Sequence, residues 1–218
     1  MTVIVPMNNE ECNVAELPRE IKDVCEREGY EYHIIFVDDG SSDRTFEVIK
    51  TLEPVTCIRM RRNFGQTAAM DAGIKYARRD VMGEGSKENP RSYIVTMDGD
   101  RQNDPDDIPR LIAELEETGK DVISGWRRKR RDPLMKKFFS RGANFLRSLL
   151  IKDGIHDSGC SLKVYRAECF EGIILYGEMH RFIPALLKMM GFTLGEIEVK
   201  HRPRTTGAVA ENPLHPAR

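Results

Sequence analysis

The sequence predicts an α/β domain built on a mostly parallel sheet flanked by helices. Two observations lead there. Short apolar runs alternate with helical patterns from residue 2 to residue 124, the order that lays parallel strands side by side. Three of those runs also end in carboxylates and amides, at the strand ends where such sheets bind ligands.

Each element has its own warrant. Thr2–Val5 is the first strand, and Val14–Glu28 carries Val14, Leu17, Ile21 and Val24 at helical spacing. Tyr32–Val37 (Tyr-His-Ile-Ile-Phe-Val) reads as a buried strand ending at Asp38-Asp39-Gly40. Asp43 is expected to cap a helix over Arg44–Leu52, and Val55–Met60 is the third strand. Gly65–Arg79 is helical, with Ala68, Ala69, Ala72 and Tyr76 on one side, and Tyr93–Met97 is the fourth strand. Pro105 and Asp107 open a helix over Ile108–Thr118, followed by a fifth strand at Asp121–Ser124.

After residue 125 the rhythm changes. Leu134–Ile151 reads as one amphipathic helix, its Phe and Leu residues recurring with a period of about 3.6. Cys160–Tyr165 and Phe192–His201 read as short strands, with a helix over Met179–Met190 between them. Gly83–Arg91 is expected to be a polar surface loop, and 205–218 a flexible tail. A length of 218 residues suits one domain over 1–204 plus that tail.

Charge narrows the function. The net charge is −1, which excludes a polycation built for nucleic acid. The balance is uneven, because Trp126–Lys152 holds ten basic residues against one acid, Asp132, and so carries +9. An anionic partner is expected there. The cysteines number 5, with no C-x-x-C, and read as reduced thiols of a cytoplasmic protein without structural zinc. No apolar run approaches the roughly 20 residues of a spanning helix. The opening strand is too short and uncharged for a signal peptide.

The strand ends carry the chemistry. They read Pro6-Met7-Asn8-Asn9-Glu10-Glu11, Asp38-Asp39-Gly40-Ser41-Ser42-Asp43 and Asp98-Gly99-Asp100-Arg101-Gln102-Asn103-Asp104. No G-x-G-x-x-G or G-x-x-x-x-G-K-[ST] accompanies them, so neither a dinucleotide nor a P-loop phosphate cradle is present. Asp98 and Asp100, at i and i+2 about a glycine, point the same way. Paired carboxylates suit a hard divalent cation that shares substrate phosphates. Asp38 and Asp39 can accept from a nucleobase N–H or a ribose hydroxyl, and part of the motif also serves helix capping.

These motifs occur in order with Arg62-Asn63-Phe64-Gly65, Gly125-Trp126-Arg127-x-x-Arg130-x-Asp132, Asp157-Ser158-Gly159-Cys160-Ser161-Leu162-Lys163 and Glu178-Met179-His180-Arg181-Phe182. Over roughly residues 1–204 the chain resembles the family 2 glycosyltransferases of the GT-A fold. More narrowly, it resembles polyprenyl-phosphate glycosyltransferases such as dolichyl-phosphate mannose synthases. The resemblance implies a catalytic domain whose 1–125 part binds donor and metal and whose 126–204 part binds acceptor. Pro6, Asn8, Glu10, Asp38, Asp39 and Gly65 would hold a UDP- or GDP-linked sugar. Asp98, Asp100 and Gln102 would hold Mg²⁺ or Mn²⁺. Arg127, Arg131 and Ser140 would meet the phosphate of a polyprenyl (dolichyl or undecaprenyl) phosphate, and Arg202 would approach the donor diphosphate. His180-Arg181 would stand near the acceptor.

The chemistry agrees with that expectation. A lipid phosphate is already anionic at neutral pH and needs cations rather than a general base. Helix 134–151 would then lie on the cytoplasmic face of a membrane, its cations toward the headgroups. A rival reading makes the acceptor a soluble or cell-surface saccharide, with Asp157 as the required base. A third makes the chain a non-catalytic binder of membrane surface or nucleic acid, although no aromatic residues interleave with the basic run. Relatives often continue into membrane-spanning helices. This chain stops at Arg218 without one, so either a peripheral protein or a piece of a longer chain is expected, alone, as a homo-oligomer or beside a membrane subunit.

Overall fold

The computed structural model describes residues 1–83, 92–128 and 154–204. The helix expected at 134–151, Arg131, Ser140, the loop at 84–91 and the tail at 205–218 lie outside the described residues.

The first half of the chain folds as its pattern predicts. Strand β1 (Thr2–Met7) leads to helix α1 (Leu17–Glu28), then β2 (His33–Asp38), α2 (Thr45–Ile49) and β3 (Val55–Arg59). Helix α3 (Gln66–Tyr76) runs on into a π-helical turn at Ala77–Met82 before β4 (Tyr93–Thr96). A 3₁₀ turn at Pro105–Asp107 opens α4 (Ile108–Thr118), and β5 (Val122–Trp126) follows. The later elements are shorter than expected. β6 is Lys163–Arg166, α5 is Ile183–Met189 and β7 is Leu194–Glu198. The helix expected from Met179 is divided at Pro184, which sits in the first turn of α5 behind a 3₁₀ turn at Met179–Phe182. Asp43 accepts the Thr45 N–H at 2.9 Å but stands one residue ahead of the N-cap, Arg44.

Among the described residues the strands form one sheet, in the order β3-β2-β1-β4-β6-β5-β7. β1 pairs in parallel with both β2 and β4, β2 with β3, and β5 with β7. β6 alone runs antiparallel, between β4 and β5. The side-chain period of two divides the sheet residues between two cores. Val3, Val5, Ile34 and Phe36 join Leu17 and Ile21 of α1 and Leu111 and Leu115 of α4 on one face. Ile4, Ile35 and Val37 join Ala69, Met70 and Ile74 of α3, with Ile183 and Leu187 of α5, on the other. Burial on both faces explains why these strands read as unbroken apolar runs.

Candidate active site

The chain lays β2 and β3 on one side of β1 and then returns to lay β4 on the other. Strand order therefore reverses between β1 and β4, and a crevice opens beyond their carboxyl ends. Residues 8–11, 38–43 and 98–104 all emerge at that edge.

The first two segments bind each other. Pro6 lies within β1 opposite Val37. Asn8 donates to the Asp39 carbonyl at 2.9 Å, and Asn9 exchanges hydrogen bonds with Ser41 and Ser42. Asp38 is fully buried. Its Oδ1 accepts the Ser41 N–H at 3.1 Å, while Oδ2 has no hydrogen-bond donor among the described residues and faces Arg59 Nε at 3.7 Å. Asp39, expected at the nucleotide, accepts the backbone N–H of Phe64 at 2.8 Å and of Gly65 at 2.9 Å. Its carboxylate thereby ties the 62–65 loop to the end of β2, and Gly65 is one of its donors. Gly40 completes this junction. It has φ +65°, and a Cβ there would stand 2.4 Å from the Arg62 carbonyl carbon. Glu10 accepts from Asn13 at 2.6 Å and from Arg204 at 2.7 Å. Burial raises the pKa of both Glu10 and Asp39, against the pull of those hydrogen bonds.

The third segment presents the paired acids. Asp98 Oδ1 accepts from Gln66 Nε2 at 2.7 Å, and Asp100 Oδ1 accepts the Gln102 N–H at 3.0 Å. Neither Oδ2 has a hydrogen-bond donor among the described residues. Burial, and then the Asp98 charge, push the Asp100 carboxyl above the usual carboxylate range. Gln102 Nε2 lies 3.5 Å from the Arg202 carbonyl, so its amide oxygen remains available as a ligand. Among the described residues no three Asp, Glu, His or Cys side chains form a metal cage. Two carboxylates and an amide oxygen still fit a cation that takes its other ligands from phosphate and water.

The cations are more committed than the sequence suggests. Arg127 forms a fork with Asp157, Nε to Oδ2 at 2.8 Å and Nη2 to Oδ1 at 3.0 Å, and its N–H reaches Oδ2 at 3.2 Å. Burial disfavours the guanidinium charge, but Asp157 more than offsets this and holds its pKa above the ordinary arginine value. Arg202, expected at the diphosphate, joins Glu20 at 2.6 Å and Asp104 at 2.8 Å, which fastens the last described residues to α1 and the 98–104 loop. Arg204, two residues on along an extended segment, reaches Glu10. Lys163 is buried at the start of β6 and donates to the Ser158 and Cys160 carbonyls. His180 Nδ1 pairs with Thr67 Oγ1 at 2.7 Å, and burial lowers its pKa. No role was read from the sequence for Gln66, Lys163 or Arg204. Only Arg204 had a usable signal, its i+2 spacing from Arg202.

The comparisons follow this geometry. Residues 2–174 match the model of the glycosyl transferase family 2. A dodecaprenyl-phosphate galacturonate synthase of Rhizobium johnstonii is 39% identical over 95% of the chain. An undecaprenyl-phosphate 4-deoxy-4-formamido-L-arabinose transferase of Pseudomonas paraeruginosa is 33% identical over 95%. The chain spans 60% and 59% of the lengths of these two relatives. The crystal structure of glucosyl-3-phosphoglycerate synthase from Mycobacterium tuberculosis, in complex with Mn²⁺ and UDP-glucose, superposes with a TM-score of 0.62. That likeness, at 16% identity over 94% of this chain and 71% of the other, concerns the fold. The acidic strand ends, the sheet order and the matched family model agree: the chain belongs to glycosyl transferase family 2 and has the GT-A fold.

Proposed function

We propose that the protein is an inverting, metal-dependent glycosyltransferase that moves a hexose from a UDP- or GDP-linked donor to a polyprenyl phosphate. The observation that carries this reading is the pair Asp98 and Asp100 at the sheet's crevice, electrostatically coupled to Arg127 and Arg204. The names of the relatives, polyprenyl-phosphate sugar transferases, support the acceptor class.

Asp98, Asp100 and Gln102 would hold Mg²⁺ or Mn²⁺. Such a cation neutralises the charge that develops on a departing nucleoside diphosphate. Asn8, Glu10 and the 38–43 turn form the nucleotide side of the crevice. Arg127 supplies positive charge for the acceptor phosphate, together with Arg131 and Ser140 from the segment outside the described residues. A phosphate oxygen attacks the anomeric carbon as the bond to the diphosphate breaks, so the configuration inverts. The phosphate needs no base, which suits a site where both Asp157 oxygens already accept from Arg127. That pairing counts against a saccharide acceptor with Asp157 as its base. Among the described residues no helix is long and apolar enough to cross a membrane. Attachment to the cytoplasmic face through 134–151 belongs to this proposal.

The test is transfer from a panel of UDP- and GDP-sugars to a short-chain polyprenyl phosphate, with Mn²⁺ and with EDTA. Metal-dependent product of inverted configuration is expected. Transfer to saccharides alone, or full activity in EDTA, would overturn the reading.

A further inference from the structure

The turn that carries Asp157 is gripped from two sides. On one side stands Glu196 of β7, whose side chain is only 6% exposed. Its Oε1 accepts the Asp157 N–H at 2.9 Å, and its Oε2 accepts the His156 N–H at 2.9 Å and meets His156 Nδ1 at 2.8 Å. The His156 ring also stacks on Trp126, with centroids 4.8 Å apart. On the other side, the buried Lys163 ammonium donates to the carbonyls of Ser158 and Cys160. Cys160 N–H closes the turn onto the Asp157 carbonyl at 3.1 Å. A buried carboxylate thus takes the turn's N–H groups, and a buried ammonium takes its carbonyls. A surface turn needs neither, since water would satisfy those groups. What the turn holds is the Asp157 carboxylate, with both oxygens forked onto Arg127.

We propose that Glu196 and Lys163 are positioning residues for Arg127, acting through the 156–160 turn, and that Asp157 belongs to this clamp rather than serving as a proton acceptor. A guanidinium held by two parallel hydrogen bonds has one orientation. It presents its remaining N–H groups to a phosphate without paying side-chain entropy at each binding event. The proposal rests on the reading that Arg127 meets the acceptor phosphate.

The test is a double-mutant cycle read by calorimetry with geranyl phosphate as ligand, with melting temperature and sugar transfer followed in parallel. Glu196→Gln should weaken geranyl phosphate binding about tenfold and leave nucleotide-sugar affinity unchanged. In an Arg127→Lys background, which has no fork to orient, it should add less than about twofold. Asp157→Asn should behave likewise, and it decides the matter if Glu196→Gln does not fold. A general base has no such effect on ground-state phosphate affinity. Unchanged binding in Glu196→Gln and Asp157→Asn, or equal losses in both backgrounds, would overturn the clamp. Coupled binding losses without sugar transfer by the wild type would overturn the transferase reading and support the clamp. No geranyl phosphate binding by the wild type would overturn both.

Discussion

Gly99→Ala tests whether the two site carboxylates are set by backbone packing. A Cβ at residue 99 would stand 2.2 Å from Met7 Sδ, 3.2 Å from Met7 Cε and 3.3 Å from the Pro6 carbonyl. Ordinary contact distances are about 3.5–4.0 Å, so either the methionine or the loop must yield by more than about 1 Å. Met7 is 1% exposed in the core above α1, which blocks its easy escape, although a thioether adapts better than a branched side chain. Overpacking of this kind costs about 1–3 kcal/mol. For a chain of this length that lowers Tm by roughly 2–12 °C. Activity should fall further, because residue 99 joins Asp98 to Asp100 and a displacement of about 1 Å in catalytic groups can cost about a hundredfold. Calorimetric Tm and transfer rate are measured for Gly99→Ala, Met7→Ala and the double variant. Removing Met7 Sδ makes room for the new methyl, so the double variant should be more stable than the sum of the singles predicts. Unchanged Tm and rate in Gly99→Ala, or strict additivity, would refute the packing argument.

Asp100→Asn should raise Tm by the equivalent of about 1 kcal/mol, because it removes a half-buried charge beside Asp98, while it abolishes transfer and the stabilisation given by Mn²⁺. A variant that Mn²⁺ still stabilises as it does the wild type would take Asp100 out of the metal site. Asp39→Asn places an amide N–H₂ against a backbone N–H and should cost about 1–3 kcal/mol, loosening the 62–65 loop to proteolysis; unchanged Tm would leave the two donated hydrogen bonds without consequence. His180 has its pKa lowered from 6.5, so below that pH the unfolded chain takes up a proton that the folded chain resists, and stability falls as pH drops through the window. His180→Gln should flatten the stability curve below pH 6.5, and an unaltered slope there would place the titration elsewhere.

The first half of the domain, up to β5, was legible because its signals are local. Val3–Val5 and Ile34–Val37 are apolar at every position, which only a strand covered on both faces requires. Helix α4 could be bounded to the residue, since Pro105 and Asp107 open it and Gly119 closes it in a left-handed conformation. The second half was less legible because its order comes from distant partners. β6 is shorter than its apolar pattern because residues 160–162 leave the ladder to carry the turn held by Lys163. The acids could be found as strand-end clusters, but their partners could not. Nothing near Arg127 in the sequence announces a fork with Asp157, 30 residues away, and nothing near Arg202 announces Glu20, 182 residues away. Charge pairing across such separations depends on topology, and composition is silent about it.

The same separation explains how the crevice divides its charges. Arg202 and Arg101 are spent on Glu20, so they fix the 98–104 loop to α1. Both oxygens of Asp39 and one of Asp38 are taken by backbone N–H groups, so they fix the 62–65 loop and the 38–41 turn to β2. Among the described residues, the Oδ2 atoms of Asp98 and Asp100 are left without a hydrogen-bond donor at the crevice, as is the buried Oδ2 of Asp38. Burial makes Asp100 costly to ionise, and Arg127 and Arg204 offset only part of that cost. A divalent cation beside the carboxylates would relieve what the protein leaves uncompensated there. The carboxylate pair is therefore the part of the crevice with acceptor capacity left over, whereas Arg127 is oriented by a partner of its own and meets any anion with the N–H groups that Asp157 does not use.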